Sequence, residues 1–125
     1  MPEDLQVIDD GVLAELRASV ESDMAFVRDL VDAYIADSAG CIDAIEAAVA
    51  AEDAGALVRP AHTLKSSSAT VGAMPLSATA RTLEGAARSG LLDDDETQAA
   101  AARIRGEWEE SSAALRAWLA DAESP

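Results

Sequence analysis

Apolar side chains recur at intervals of three and four residues along almost the whole of this 125-residue chain, and this periodicity predicts a protein built from α-helices. Half of the residues are hydrophobic and only four are aromatic. The apolar content is largely alanine, which is the strongest helix former. We therefore predict one all-α domain that spans residues 1–125, with its core between about residues 9 and 122 and with frayed ends.

Five segments carry the helical pattern, and residues typical of helix ends separate them. Ser22 is the predicted N-cap of the second helix, which continues in phase across Gly40. Pro60 falls inside the third segment, where we favour a kinked helix over a new helix that begins at the proline. Gly90 ends the fourth helix, and Asp93 is the predicted cap of the fifth. The segments cover about residues 9–20, 22–51, 53–72, 75–90 and 93–122.

Charge and composition exclude several classes of function. The net charge of −15 repels nucleic acid and anionic membranes, and no apolar stretch is long enough to cross a bilayer. The single cysteine, Cys41, cannot form an internal disulfide and is predicted to be a small buried hydrophobe. One histidine and one cysteine cannot supply a structural zinc site. We therefore expect a cytoplasmic monomer that binds no cofactor or metal of its own.

His62, the only histidine, is predicted to lie on the outer face of the third helix. At about 100° per residue, with the buried-face residue Leu64 set at zero, His62 falls at about 160°. Ser66 lies beside it at about 200° and Ala69 at about 140°, while Lys65, the only lysine, flanks it at about 100°. An apolar helix thus presents an imidazole that is surrounded by small residues and one ammonium.

This arrangement suits phosphoryl chemistry. Neutral imidazole is a good nucleophile near pH 7, and an ammonium three residues further along a helix can reach a phosphoryl group attached to it. Two other interpretations stay open: His62 is an ordinary surface residue, or the run of Ser66, Ser67 and Ser68 is a modification target or plain helix surface. Ser68 is predicted to point inward and to bond back to a carbonyl one turn earlier.

The residues around His62 resemble the signature of the histidine-containing phosphotransfer (HPt) domain family of two-component phosphorelays. That signature reads H-x-L-K-G-S/A-S/A with a glycine further on, and the similarity covers about residues 57–88. One position departs from it, because Ser66 stands where the family usually has glycine. The matching residues are His62-Thr63-Leu64-Lys65-Ser66-Ser67-Ser68, then Gly72, Leu76, Leu83 and Glu84.

The resemblance implies a four-helix up-down bundle with a short extra N-terminal helix, and it implies a role for four residues. His62 is the expected phosphoacceptor, through the ring nitrogen farther from the backbone. Lys65 is expected to contact the phosphoryl oxygens, and Glu84 to orient the imidazole by a hydrogen bond to its other nitrogen. Arg88 is expected to add positive charge. A simpler interpretation treats Glu84 and Arg88 as an ordinary surface pair.

The expected partners are response-regulator receiver domains and a hybrid sensor histidine kinase. His62 would take a phosphoryl group from a receiver aspartyl phosphate and relay it to another receiver, with Mg²⁺ supplied by the receiver. No nucleotide-binding motif is present, so we expect a phosphoryl carrier without kinase activity rather than an enzyme. The residues expected to dock the partner are Ser66, Ser67 and Ala69 together with Leu13 or Leu16.

Two alternative functions remain at this point. The first is a non-phosphorylated module of the same fold that docks on a kinase or receiver and inhibits it, an interpretation that Ser66 favours. The second is a protein that strips phosphate from a receiver, with Glu84 as the carboxylate that activates water.

Overall fold

The computed structural model describes residues 7–20 and 23–123, and this part of the chain contains five α-helices and no strand. The all-α prediction is therefore confirmed. The predicted Ser22 cap and the outermost terminal residues, which we expected to fray, lie outside the described residues. The helices are α1 (Asp10–Ser19), α2 (Met24–Ala50), α3 (Ala54–Thr70), α4 (Met74–Ser89) and α5 (Asp95–Glu123).

The four longer helices contact one another in a closed ring. The most extensive contact joins α3 to α4, α2 packs against α3 and α5, α4 packs against α5, and α1 rests on α2. Branched aliphatic side chains from all five helices fill the space between them, and burial of this apolar surface stabilises the arrangement. The largest fully buried apolar residues are Leu13, Ile42, Ile45, Leu57, Leu64, Leu76, Leu83, Ile104 and Leu115.

Aspartates define where four of the helices begin, because a carboxylate can accept the unpaired N–H groups of a first helical turn. At α5 the predicted cap is wrong by one residue: Asp94, not Asp93, accepts from the backbone N–H and the hydroxyl of Thr97. Thr97 is buried, so its position in the core selects between two adjacent aspartates that the sequence alone cannot separate. The capping residues are Asp9, Asp23, Asp53 and Asp94.

Pro60 lies inside α3, which runs without interruption, so a separate helix that begins at this proline is excluded. Cys41, which we predicted to be buried, is only partly buried. Trp108 of α5 is half-buried. The indole N–H of Trp108 donates to the buried Ser38 hydroxyl at 2.7 Å, so this edge of the ring points toward the core.

Gly72 fastens the start of α1 to the turn between α3 and α4. The backbone N–H of Asp9 donates to the Gly72 carbonyl at 2.7 Å. Gly72 has a φ of +81°, in the left-handed region that favours glycine. A Cβ at this position would lie 3.0 Å from the Asp9 carbonyl oxygen. This contact holds α1 in place, and Leu13 of α1 is thereby carried into the core.

We expect Gly72→Ala to lower the free energy of unfolding by about 1–2 kcal/mol from backbone strain alone, with a further loss from the contact with Asp9. Gly90→Ala is the matched control, because Gly90 has a φ of +80° but no atom lies within 4 Å of its added Cβ. Urea denaturation of both variants gives the comparison. Equal losses in the two variants would show that the close approach to Asp9 contributes nothing.

Candidate functional site

His62 stands on the exposed face of α3, as the helical wheel predicts. Its neighbours Ala61 and Leu64 are fully buried, which fixes the rotation of the helix about its axis. The imidazole is 55% exposed. Because the backbone around it is held by core packing on the opposite face, the ring is presented to solvent from a rigid element.

Glu84 of α4 lies at the centre of the site. Its side chain is only 7% exposed, and both carboxylate oxygens have cationic or imidazole partners. Oε2 lies 2.9 Å from His62 Nδ1 and 2.7 Å from Arg88 Nη2. Oε1 lies 2.6 Å from Lys65 Nζ. A buried carboxylate is tolerated when charged groups and hydrogen bonds satisfy it, and here three side chains do so.

The same partners decide the protonation of Glu84. Hydrogen bonds from Lys65 and then Arg88 outweigh the opposing effect of burial and lower the pKa of Glu84 from its ordinary value of 4.5 to about 2. An ionised carboxylate can only accept hydrogen bonds, so Nδ1 of His62 carries the ring proton in this contact. The lone pair of the neutral ring is therefore on Nε2, the nitrogen farther from the backbone.

A second link fixes the register of α3 on α4 beside this cluster. The Ser77 hydroxyl donates to the backbone carbonyl of Lys65 at 2.8 Å, and Ser77 itself is buried. The bond places the start of α4 against the third residue after His62. As a result, Glu84, two helical turns further along α4, arrives opposite His62 and Lys65.

An apolar cleft of about 280 Å³ lies between α1, α2 and α3, next to His62 along the chain. Its walls are apolar or hydroxylated side chains, and the Asp37 carboxylate stands among them. Burial raises the pKa of the Cys41 thiol in the same wall, so this thiol stays protonated at neutral pH. The lining residues are Leu16, Leu30, Tyr34, Asp37, Ser38, Cys41, Thr63, Ser67, Thr70 and Val71.

The residues that we expected to dock a partner lie in four different environments. Leu16 and Ser67 line the cleft, and Ser66 is exposed beside His62, whereas Ala69 is half-buried outside the cleft. The prediction that Leu13 docks a partner is wrong: Leu13 is 0% exposed and packs in the core, so it presents no surface to a partner. Helical periodicity marked Leu13 and Leu16 as one stripe, but only contact with α2 decides which of them is covered.

Two features of the site were missed from the sequence. The pairing of Lys65 with Glu84 joins residues on different helices, and no spacing within one helix announces it. The α3 wall of the cleft did leave a signal, because Thr63, Ser67 and Thr70 recur at the four- and three-residue spacing of one helix face. Ser68 also differs from expectation: its hydroxyl hydrogen-bonds the buried Tyr34 hydroxyl at 2.8 Å rather than a carbonyl one turn earlier.

Among residues 7–20 and 23–123, no helix combines the length and apolar character needed to cross a membrane. In the same part of the chain, no three histidine, cysteine, aspartate or glutamate side chains gather as a metal-binding group.

Comparison with known proteins agrees with this geometry. The sequence matches the model of the Hpt domain family over residues 29–123. This range includes the cluster that surrounds Glu84, which consists of His62, Lys65, Glu84 and Arg88. The fold is similar to the crystal structure of histidine-containing phosphotransfer protein B (HptB) from Pseudomonas aeruginosa PAO1, with a TM-score of 0.81 and 28% sequence identity. The similarity covers 94% of this chain and 98% of that one. No curated protein matches the sequence.

The lowered pKa of Glu84 gives stability a defined pH dependence. In the unfolded chain Glu84 takes up a proton near 4.5, but in the folded protein it stays ionised down to about 2. Its contribution to the free energy of unfolding is therefore complete above pH 4.5 and is lost as the pH falls toward 2. We expect Glu84→Gln to cost about 1–3 kcal/mol at neutral pH and progressively less across that window.

Urea denaturation at a series of pH values measures this difference. Glu110→Gln, which removes an exposed carboxylate of α5 outside the cluster, controls for the change in net charge. If the free energies of unfolding of the wild-type protein and Glu84→Gln differed by the same amount at acid and neutral pH, the assigned ionisation of Glu84 would be contradicted.

Proposed function

Because this chain belongs to the Hpt domain family, which matches 95 of its 125 residues (29–123), we propose that it is a phosphoryl carrier whose His62 accepts and relays a phosphoryl group. The observation that carries the proposal is the orientation of the ring. The His62 side chain is 55% exposed and its Nδ1 lies 2.9 Å from the ionised Glu84, so Nε2 is the nitrogen that we infer to be available to a phosphoryl donor. The structurally similar protein HptB is named a histidine-containing phosphotransfer protein, which supports a phosphoryl-carrier role for this chain.

In the proposed reaction, the donor is an aspartyl phosphate on a receiver domain. The Nε2 lone pair of His62 forms a bond to phosphorus in line with the breaking phosphorus–oxygen bond, and the receiver carboxylate leaves with that electron pair. No proton has to leave the ring, because Nδ1–H remains hydrogen-bonded to Glu84. The negative charge of Glu84 offsets the positive charge that the ring gains. The reverse sequence loads a second receiver.

The two proteins divide the chemical work. The receiver's own acidic pocket holds the Mg²⁺ that neutralises charge on the transferring phosphoryl group. We propose that this chain contributes the nucleophile and Lys65 and that it is a carrier loaded by a receiver or by a hybrid sensor histidine kinase. We further propose that α2 to α5 form an up-down bundle within one domain, with α1 as the extra N-terminal helix.

Docking of the receiver is proposed at the apolar cleft beside His62. A partner helix can place an aliphatic side chain between Leu16 of α1, Leu30 of α2 and Val71 after α3. Asp37 is the charged group in these walls, and the whole chain is acidic. A lysine or arginine on the partner, opposite Asp37, would complete the contact by charge complementarity. Ser66, exposed and small, leaves the approach to His62 open.

The central test is transfer of label from a receiver that carries radiolabelled aspartyl phosphate. We expect acid-labile, alkali-stable label on the wild-type protein and none on His62→Gln. His62 is the only histidine, so no other imidazole can take the label. Label that persists on His62→Gln would refute the proposal. Tight binding of the receiver with no transfer would favour the inhibitory docking module, and loss of label to solvent without its appearance on His62 would favour a phosphatase.

The docking proposal has its own test in Asp37→Arg, which reverses a charge on an exposed residue and spares the core. We expect roughly tenfold weaker receiver binding, because like charges then face each other across the contact. The matched control is Asp29→Arg, on the same helix and also exposed, but outside the cleft. Titration calorimetry with the unphosphorylated receiver measures both. Equal weakening by the two variants would show that the receiver binds at another surface, or that only the net charge of the chain affects its binding.

A further inference from the structure

One buried carboxylate serves three partners at this site, and the partners do not share it equally. Arg88 binds Glu84 Oε2 through two nitrogens, Nη2 at 2.7 Å and Nε at 3.0 Å. His62 Nδ1 lies 2.9 Å from the same oxygen. Lys65 binds the other oxygen through Nζ alone, at 2.6 Å. Lys65 is therefore already occupied before any phosphoryl group arrives.

Phosphorylation of His62 gives the Lys65 ammonium a second possible partner. The attached group brings close to two negative charges, and Lys65 lies three residues further along α3, within reach of it. If Lys65 turns to the phosphoryl oxygens, Glu84 loses one cation while its carboxylate stays buried. Loss of a cation from a buried carboxylate is unfavourable, and the positive charge that the ring gains is shared with the attached phosphoryl group, so a further cation that stays on Glu84 stabilises this state.

We infer that Arg88 is the positioning residue that releases Lys65: it stays on Glu84 as the permanent counterion while Lys65 moves from Glu84 to the phosphoryl group on His62. This inference rests on the proposed phosphorylation of His62 and assigns Arg88 a part beyond adding positive charge. Arg88 acts through Glu84 and need not touch the phosphoryl group.

The geometry favours Lys65, not Arg88, as the side chain that moves. Lysine is a point charge on a flexible stem and here makes one contact, whereas the planar guanidinium of Arg88 holds its oxygen with two nitrogens. Arg88 also stands one turn after Glu84 on α4, where the spacing of an i, i+4 pair keeps the two together. Lys65 shares α3 with His62 and follows it along the same outer surface.

The test uses phosphoramidate as a small phosphoryl donor, so that no receiver is needed. Lys65 is the only lysine, and its side-chain NMR resonance is therefore assigned without ambiguity. In the wild-type protein we expect this resonance to shift when His62 is phosphorylated, while the Arg88 Nε resonance stays. In Arg88→Gln we expect the Lys65 resonance to stay and the rate of His62 phosphorylation to fall about tenfold, the loss of one charge-assisted contact.

Three variants separate this role from a structural one. Arg88→Lys keeps a cation beside Glu84 and should restore the rate of His62 phosphorylation. Glu84→Gln combined with Arg88→Gln removes the charge that holds Lys65, so the rate should no longer depend on residue 88. Arg81→Gln, an exposed residue of α4 outside the cluster, controls for the loss of one positive charge and should change neither readout.

Two results would overturn the inference: a Lys65 resonance that shifts equally in Arg88→Gln, or a wild-type protein in which the Arg88 resonance moves and the Lys65 resonance does not. Failure of the proposed function is distinguishable from both. A wild-type protein that takes phosphate from phosphoramidate but from no receiver would remove the relay role, while the exchange of Lys65 between Glu84 and the phosphoryl group would still be measured.

Discussion

The ionised carboxylate of Glu84, buried between α3 and α4, is the interaction on which the site depends. In the unphosphorylated protein Lys65, Arg88 and His62 all face this carboxylate and offset its desolvation, so the rotation and register of both helices must be correct at once. The Ser77 hydrogen bond to the Lys65 carbonyl and the fully buried aliphatic residues of α3 and α4 supply that accuracy. Core packing and site chemistry are therefore parts of a single constraint.

The chain's charge gives the cluster a further meaning. Because the net charge of the protein is −15, long-range repulsion disfavours the addition of a dianionic group such as a phosphoryl group. The structure answers this locally by placing its single lysine and one of its eight arginines around His62 and Glu84. Local contacts of a few ångströms are weakly screened and outweigh distant charges that solvent and salt attenuate.

Much of this fold follows from periodicity. The exposure of His62, the burial of Leu64 and the continuity of α3 across Pro60 all follow from counting about 100° per residue. The same counting fails where two neighbouring residues fit equally well. It could not choose Asp94 over Asp93 as the cap of α5, because the choice depends on Thr97 reaching the core. It also overstated the burial of Cys41, which lies at the edge of the apolar stripe of α2 and faces a cleft instead of a helix.

The sequence by itself determined that the chain is helical, that one imidazole faces outward from an apolar helix, and that the motif around it resembles a phosphotransfer site. These properties are local, since they depend on residues within a few helical turns of one another. Only the tertiary structure decided that Leu13 is core and Leu16 is cleft wall, and that Lys65 and Arg88 meet on one carboxylate. Contacts of this kind depend on how separate helices are rotated and shifted against each other, and no spacing within a single helix encodes that geometry.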